Sequence, residues 1–320
     1  MVLIKNNLQD KVNIKTATEQ VAIYLQDIFL NSPKAINHIT THLAKVSGKH
    51  VRANLLLICA MDNAALIKKE AIDAACAVEI FHLATLIHDD IIDNAPIRRG
   101  IESVQSKFSQ KEAVIAGDYL FGVSLGIIAN IHKPFVSLAP KFANVTKQIC
   151  LGELRQHGNN FNGDLSFFDY LKTIYGKTAA LFYMSAYGGA AFAYDDMAQI
   201  KKIGRLGTYF GMAFQILDDC KDYTMDVSQA KKPTQNDIVT GVVNLPLLLA
   251  IAKDDNLKAM LDERAYKEII IRVKELKTTD QAFEISQKYV EKAQKILKNI
   301  EPLEKRDKLK ELFCSQLKKH

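Results

Sequence analysis

Apolar residues recur at i, i+3, i+4 and i+7 along most of this 320-residue chain, and no strand-like alternation is sustained. Residues 71–93 show the pattern, with Ala74, Ala77, Val78, Phe81, Ala84, Thr85 and Ile92 on the helical period. Glycine (15) and proline (7) are scarce, against average usage of roughly 7% and 5%. So few turn-formers favour long helices with short connections. Punctuation falls at Ser47-Gly48, Asn94 to Gly100, Lys133-Pro134, Gly158 to Asp164, Lys232-Pro233 and Thr278 to Asp280. No interval has the composition of an interdomain linker and no repeat has a fixed period. The reading is all-α, one helical domain over residues 1–320.

The formal net charge of +6 is spread along the chain, and the Lys-rich tail ending Lys318, Lys319, His320 reads as a solvated helix face. Nucleic-acid binding needs a clustered basic patch with a recognition motif, and neither is found, so no nucleic-acid partner is expected. Cys59, Cys76, Cys150, Cys220 and Cys314 are far apart and form no Cys-x-x-Cys pair. That usage predicts reduced thiols in the cytoplasm. No uninterrupted apolar run reaches the roughly 18 residues that span a bilayer, so an integral membrane protein is not expected.

The sharpest local signal is His88-Asp89-Asp90-Ile91-Ile92-Asp93, at the end of the apolar stretch. On a helix, i and i+4 share a face, so Asp89 and Asp93 point one way with Asp90 beside them. Carboxylates this close repel unless a cation joins them. Magnesium is the natural one, because it takes oxygen ligands and shares its shell with substrate phosphates. The same Asp-Asp-x-x-Asp spacing returns in Asp218-Asp219-Cys220-Lys221-Asp222, again closing an apolar helix. One acidic triplet is most simply a solvated helix end; two of identical spacing argue for metal. Asp89, Asp93 and Asp218 are the expected metal ligands, and all six aspartates belong to the catalytic set.

With these motifs, and with Glu79-Ile80-Phe81-His82-Leu83-Ala84-Thr85-Leu86-Ile87-His88 leading into the first, the chain resembles the trans-isoprenyl diphosphate synthases, or polyprenyl synthetases. The resemblance is clearest from about residue 45 to 250, and its pattern is that of the medium- and long-chain members, such as geranylgeranyl or hexa- and heptaprenyl diphosphate synthases. It implies a large helical bundle of the isoprenoid synthase type with a central active-site cavity. It also implies magnesium-dependent, head-to-tail condensation of isopentenyl diphosphate with an allylic diphosphate such as farnesyl or geranyl. By the same resemblance Lys49 and Arg52 of Gly48-Lys49-His50-Val51-Arg52, with His82 and Arg99, hold isopentenyl diphosphate. Arg98, Lys177, Thr178 and Lys232 serve the allylic diphosphate, Lys177 joining the six aspartates in the catalytic set, and Gln215 faces the active site as a substrate-binding residue. Read alone, the same residues are ordinary loop charges and a core-edge histidine. Phe214, before Gln215, either flanks a carbocation or packs in the core.

Two departures stand out. Lys231 replaces a frequent glycine, and Gly241-Val242-Val243-Asn244-Leu245-Pro246 lacks the lysine many members carry, with Val242 in its place. Gly176-Lys177-Thr178 is not a Walker loop, because Leu171 stands where the first glycine is required.

The resemblance also implies that the growing tail descends along the helix of the first motif, past Thr85, Ala84 and Phe81. Small residues at 84 and 85 predict a product of C20 or longer. A class I terpene cyclase is the competing enzyme, though the second motif and Lys49/Arg52 argue against it. A regulatory subunit of a two-component synthase typically lacks the aspartates that this chain keeps. A homodimer is expected, or a heterodimer in which this chain is catalytic.

Overall fold

The computed structural model describes residues 10–45, 48–131, 137–224 and 236–317, with only the backbone of 236 and 237. Lys231, Lys232 and Pro233, Lys133-Pro134 and the tail at 318–320 therefore lie outside the described residues.

The elements run β1 (Lys11–Val12), α1 (Ile14–Leu30), α2 (Asn37–Leu43), α3 (Val51–Cys59), β2 (Ile67–Lys68), α4 (Lys69–Ile92), β3 (Ile97–Arg98), β4 (Ile101–Glu102), α5 (Val104–Lys107), α6 (Gln110–Ala129), α7 (Leu138–Gly158) and α8 (Phe167–Ile174). A π-helical turn (Tyr175–Ala179) follows, then α9 (Ala180–Ala193), α10 (Met197–Thr224), α11 (Asn236–Val239), α12 (Leu245–Ile251), α13 (Asn256–Asp262), α14 (Tyr266–Glu275), α15 (Thr278–Leu297) and α16 (Leu303–Gln316). The fold is all-α. Its extended structure, among the described residues, is two antiparallel ladders, β1 with β2 and β3 with β4.

Helix starts follow short polar side chains, as capping chemistry requires. Asn13, Ser103, Ser109, Ser166 and Asn244 each accept a first-turn amide, from Thr16, Ser106, Glu112, Asp169 and Leu247.

The described residues form two compact units, each drawn from several stretches of chain. The first comprises residues up to 142 with 185–204 and 300–309. At its centre is α4, which packs against α1, α3, α5 and α6. Ala71, Ala74, Ala75, Cys76, Ala77, Val78, Ile80, Phe81 and Ala84 are all buried, the composition of a helix surrounded by others rather than one lying on a surface. By length and composition α4 and α6 could each cross a bilayer, yet most of that α4 stretch is buried within the protein. Phe81 lies between Phe121 and Phe142, with ring centroids 5.0 and 4.8 Å away. Burying one such side chain contributes about 1.5–3 kcal/mol.

The second unit comprises 143–184, 205–299 and 310–320. Its core is formed by Leu245, Leu247, Leu257, Leu261, Ile269 and Val273 with the buried face of the α10 C-terminal half, Ile216, Cys220 and Tyr223. Phe210 stacks on Phe313 at 4.3 Å and meets Phe182 edge-on at 5.0 Å.

None of the five cysteines is in a disulfide; Cys59, Cys76 and Cys220 are buried and Cys150 and Cys314 exposed.

Phe142 is 1% exposed. Phe142→Ala leaves a cavity beside Phe81 and is expected to cost about 3–5 kcal/mol, read as a lower urea midpoint. An unchanged midpoint would show that this aromatic cluster does not hold the first unit together.

Candidate active site

Both aspartate motifs lie at helix C-termini, where the backbone dipole is negative and carboxylates are least welcome. Asp89 and Asp90 are in the last turn of α4 and Asp93 is its C-cap. Asp218, Asp219 and Asp222 occupy the last two turns of α10. Such placement needs positive charge from elsewhere.

In the first unit the middle carboxylate is neutralised by the protein itself. Asp90 is buried, and Arg98 Nε donates to its Oδ1 at 2.6 Å, with Arg98 Nη2 also paired to that oxygen. Burial raises the Asp90 carboxyl above the ordinary range, and the Arg98 bond offsets only part of that. Asp93 is exposed and Asp89 partly so, leaving oxygen surface toward solvent.

Arg98 reaches Asp90 because β3 and β4 form a hairpin closed by Arg99-Gly100, with φ of 52° and 83°. Positive φ at both central residues matches the type I′ turn of two-residue hairpins. Gly100 meets that requirement without strain, whereas Arg99 adopts it with a Cβ. The turn sends the two arginines to different places. The Arg99 guanidinium rests on Gly48, where a Cβ would fall 2.6 Å from Nη1.

Arg99 thereby joins a basic cluster at the start of α3. Arg52 Nη1 lies 3.1 Å from His82 Nε2. A guanidinium only donates, so Nε2 accepts and the His82 proton sits on Nδ1. Burial, then Arg52, Arg99 and Arg98 in turn, hold His82 well below its ordinary value, so the ring is neutral. Burial lowers Arg52 to about 10, with Glu79 opposing and Arg99 adding. Lys49 is exposed at the edge of this cluster. Guanidiniums gathered around a neutral imidazole form a receptor for a polyanion.

In the second unit the middle carboxylate is again enclosed, by different groups. Asp219 is 4% exposed. Tyr170 Oη donates to its Oδ2 at 2.6 Å, and Gln215 Nε2 donates to its Oδ1 at 2.9 Å. Gln215 Oε1 accepts from Thr178 Oγ1 at 2.5 Å, which fixes the amide orientation. Burial, then the Asp219 charge, raise Tyr170 well above 10, so its hydroxyl stays a donor. Asp218 is exposed and paired with Lys221 at 3.1 Å; Asp222 accepts from Asn244 Nδ2 at 3.4 Å. Phe214 packs with Phe182 and Phe210, at 5.5 and 6.3 Å.

Lys177 sits in the π-helical turn, a distortion frequent at functional sites. Its Nζ donates to Glu153 Oε2 at 3.2 Å. The turn touches α7 backbone to backbone. A Cβ on Gly152 would lie 2.4 Å from Lys177 N, and one on Gly176 2.6 Å from Gln148 O.

No group of three or more His, Cys, Asp or Glu side chains in metal-binding proximity occurs among the described residues. The donor set nonetheless suits magnesium, which uses one or two carboxylates and completes its shell with water and phosphate oxygens. Each motif offers two outer carboxylates of that kind, its middle one being committed to protein donors.

Motif spacing did not flag Tyr170, Glu153, Glu79 or Asn244. Tyr170 lies 49 residues from Asp219, and no local pattern encodes such a pair. Glu79, one turn before His82 on the same face of α4, was legible in principle.

The polyprenyl synthetase profile matches residues 33–284. The chain is 32% identical over 278 residues to heptaprenyl diphosphate synthase component 2 of Geobacillus stearothermophilus, covering 85% of this chain and 86% of that protein. The crystal structure of heptaprenyl diphosphate synthase from Staphylococcus aureus superposes with a TM-score of 0.89 at 25% identity, over 97% of this chain and 99% of that one. That of polyprenyl synthase from Caulobacter crescentus CB15, complexed with calcium and isoprenyl diphosphate, gives 0.85 at 25% identity over 96% of each chain.

The depressed His82 sets a sign for pH dependence. Unfolded, the ring binds a proton below about 6.5; folded, it resists until well below that. The unfolded state then holds more protons, so stability falls as pH drops through 6.5 toward the folded value. Denaturant midpoints between pH 8 and 5 should show that loss, and His82→Asn should reduce it. An identical slope in the variant would remove His82 as its source.

Proposed function

We propose a division of labour among the residues of this chain, which belongs to the polyprenyl synthetase family and joins isoprenyl diphosphates head to tail as a trans-polyprenyl diphosphate synthase. The observation that carries it is the repeated treatment of the two motifs, each with its middle carboxylate enclosed by protein donors and outer carboxylates at the negative end of a helix.

Asp89, Asp93 and Asp218 hold divalent metal, magnesium by the chemistry of the donors. A metal held by these carboxylates would supply electrostatic stabilisation of the charge on a departing diphosphate. Asp90, Asp219 and Asp222 act beside them, the first two fixing the motifs through Arg98 and through Tyr170 and Gln215. Lys177, Arg98, Thr178 and Gln215 orient the allylic diphosphate, Lys177 and Arg98 adding positive charge at the leaving group. Lys232 is assigned to the same substrate. Lys49, Arg52, Arg99 and the Nδ1–H of His82 bind isopentenyl diphosphate. The double bond of that substrate attacks the allylic carbon, a C–C bond forms, and a proton passes to the departing diphosphate. The product is five carbons longer.

We assign a product of C20 or longer. Ala84 is buried and small and Thr85 is turned back to the His82 carbonyl at 2.8 Å, so neither blocks a farnesyl tail. Phe81, packed with Phe121 and Phe142, sets the next level down. The Geobacillus and Staphylococcus relatives are heptaprenyl synthases by name, in keeping with that length.

We place the protein in the cytoplasm as a homodimer, its exposed Val114, Ile115 and Leu125 on α6 providing apolar surface for a second copy. The Geobacillus relative is named as a component 2, which favours a heterodimer as the second reading.

The deciding experiment incubates purified protein with magnesium, geranyl diphosphate and labelled isopentenyl diphosphate and reads product length. Products of C20 or longer are expected from the chain alone; inactivity until a partner subunit is added selects the heterodimer, and a product stopping at C15 removes the length assignment. Asp89→Ala and Asp218→Ala should each lower turnover by a factor of about 10² or more, and excess EDTA should abolish it. Lys49→Ala should raise KM for isopentenyl diphosphate, Lys177→Ala that for the allylic substrate. Ala84→Tyr should shorten the product to about C15; an unchanged product from an active variant counts against Ala84 lining the path.

A further inference from the structure

We propose that Glu79 is a positioning residue for isopentenyl diphosphate, holding the Lys49–Arg52 segment in place by capping α3 from the middle of α4. The inference rests on the assignment of Lys49 and Arg52 to that substrate.

The start of α3 is poorly provided for by its own sequence. Its N-cap, His50, has φ 46° and ψ 38° and its side chain makes no capping bond. Left-handed backbone is disfavoured for a residue with a Cβ, and the first amides of a helix have no partner within it. Glu79 answers both demands with one carboxylate. Its Oε1 accepts from Ala53 N, in the first turn of α3, at 3.0 Å. Its Oε2 lies 3.3 Å from His50 Nδ1. Lys49 immediately precedes His50, and Arg52 lies between His50 and Ala53.

The surroundings show that this carboxylate is there for a purpose. Glu79 is 7% exposed, while Ala75, Cys76, Ala77, Val78 and Ile80 around it on α4 are fully buried and apolar. An ionised carboxylate in such a place is costly unless charge and hydrogen bonds meet it. Burial pushes Glu79 up, but His50, the Ala53 amide and the nearby Arg52 charge together hold it below its ordinary value. The same stripe of α4 presents His82 one turn later, where it receives Arg52. Glu79 therefore fixes the backbone of the basic segment while His82 fixes the end of its arginine. It also supplies negative charge beside Arg52 before an anion arrives.

A carboxyl serving stability alone would lower the melting temperature without discriminating between substrates. The test uses full-length protein, varying each substrate with the other saturating. Glu79→Gln, nearly isosteric and able to accept from Ala53, should raise KM for isopentenyl diphosphate about tenfold, since small misplacement of binding groups has effects of at least that size. KM for the allylic substrate should stay within about twofold of wild type. Glu79→Ala should have the larger effect, and adding His50→Gly should recover part of it, because glycine holds a positive φ without a Cβ. Lys49→Ala is measured alongside. If Lys49→Ala leaves KM for isopentenyl diphosphate unchanged, the underlying site assignment fails and this inference with it. If Lys49→Ala shifts that constant and Glu79→Gln shifts neither KM, or both equally, Glu79 has no positioning role and the site assignment stands.

Discussion

A helix packed on every side can place a charge only at its end or against a partner brought to meet it, and α4 is such a helix. Its apolar residues are buried against α1, α3, α5 and α6. Glu79, His82 and the aspartates at its end each then have a specific arrangement. Glu79 is met by the start of α3, His82 by Arg52, Asp90 by Arg98, and Asp89 and Asp93 emerge at the terminus. The burial that stabilises the first unit thus also dictates where its chemistry can appear.

The hairpin of β3 and β4 shows how little backbone is needed to separate two functions. Arg98 and Arg99 are neighbours in sequence, yet a turn with positive φ at 99 and 100 gives one to a carboxylate and the other to a cationic cluster. The first pairing lowers the cost of a buried carboxylate. The second raises electrostatic repulsion between Arg99 and Arg52 and keeps His82 from taking a proton, a surplus of positive charge that a diphosphate would relieve. Repulsion held in a rigid site before a ligand binds is what makes a site selective for that ligand's charge.

The second unit reaches the same result for its aspartates with neutral donors. Tyr170 and the Gln215 amide enclose Asp219, and Thr178 locks the amide in the orientation that donates to it. Hydroxyl and amide donors meet the carboxylate oxygens without adding charge. Asn244 extends the arrangement, its Oδ1 accepting from Tyr223 Oη at 2.8 Å while it caps α12. It occupies the stretch where the sequence departs from many family members, at Val242, and supplies there a cap and a bond to Asp222.

Helical periodicity, scarce glycine and proline, and the duplicated Asp-Asp-x-x-Asp spacing were enough to read an all-α fold and the two acidic clusters from the chain alone. These are local signals, because the helical repeat ties residues three and four apart to one face. The basic residues at 49, 52, 98, 99 and 177 carried no such signal and were legible only through resemblance. What the sequence could not say is which aspartate of each triplet would be enclosed, since Arg98 reaches Asp90 through a turn and Tyr170 reaches Asp219 across 49 residues. Nor could it say whether Phe81 lies free or packed, which depends on Phe121 and Phe142 from α6 and α7. Spacing determines which face of a helix a side chain shares; only tertiary packing decides what stands opposite that face, because burial and hydrogen-bond partners come from chain distant in sequence.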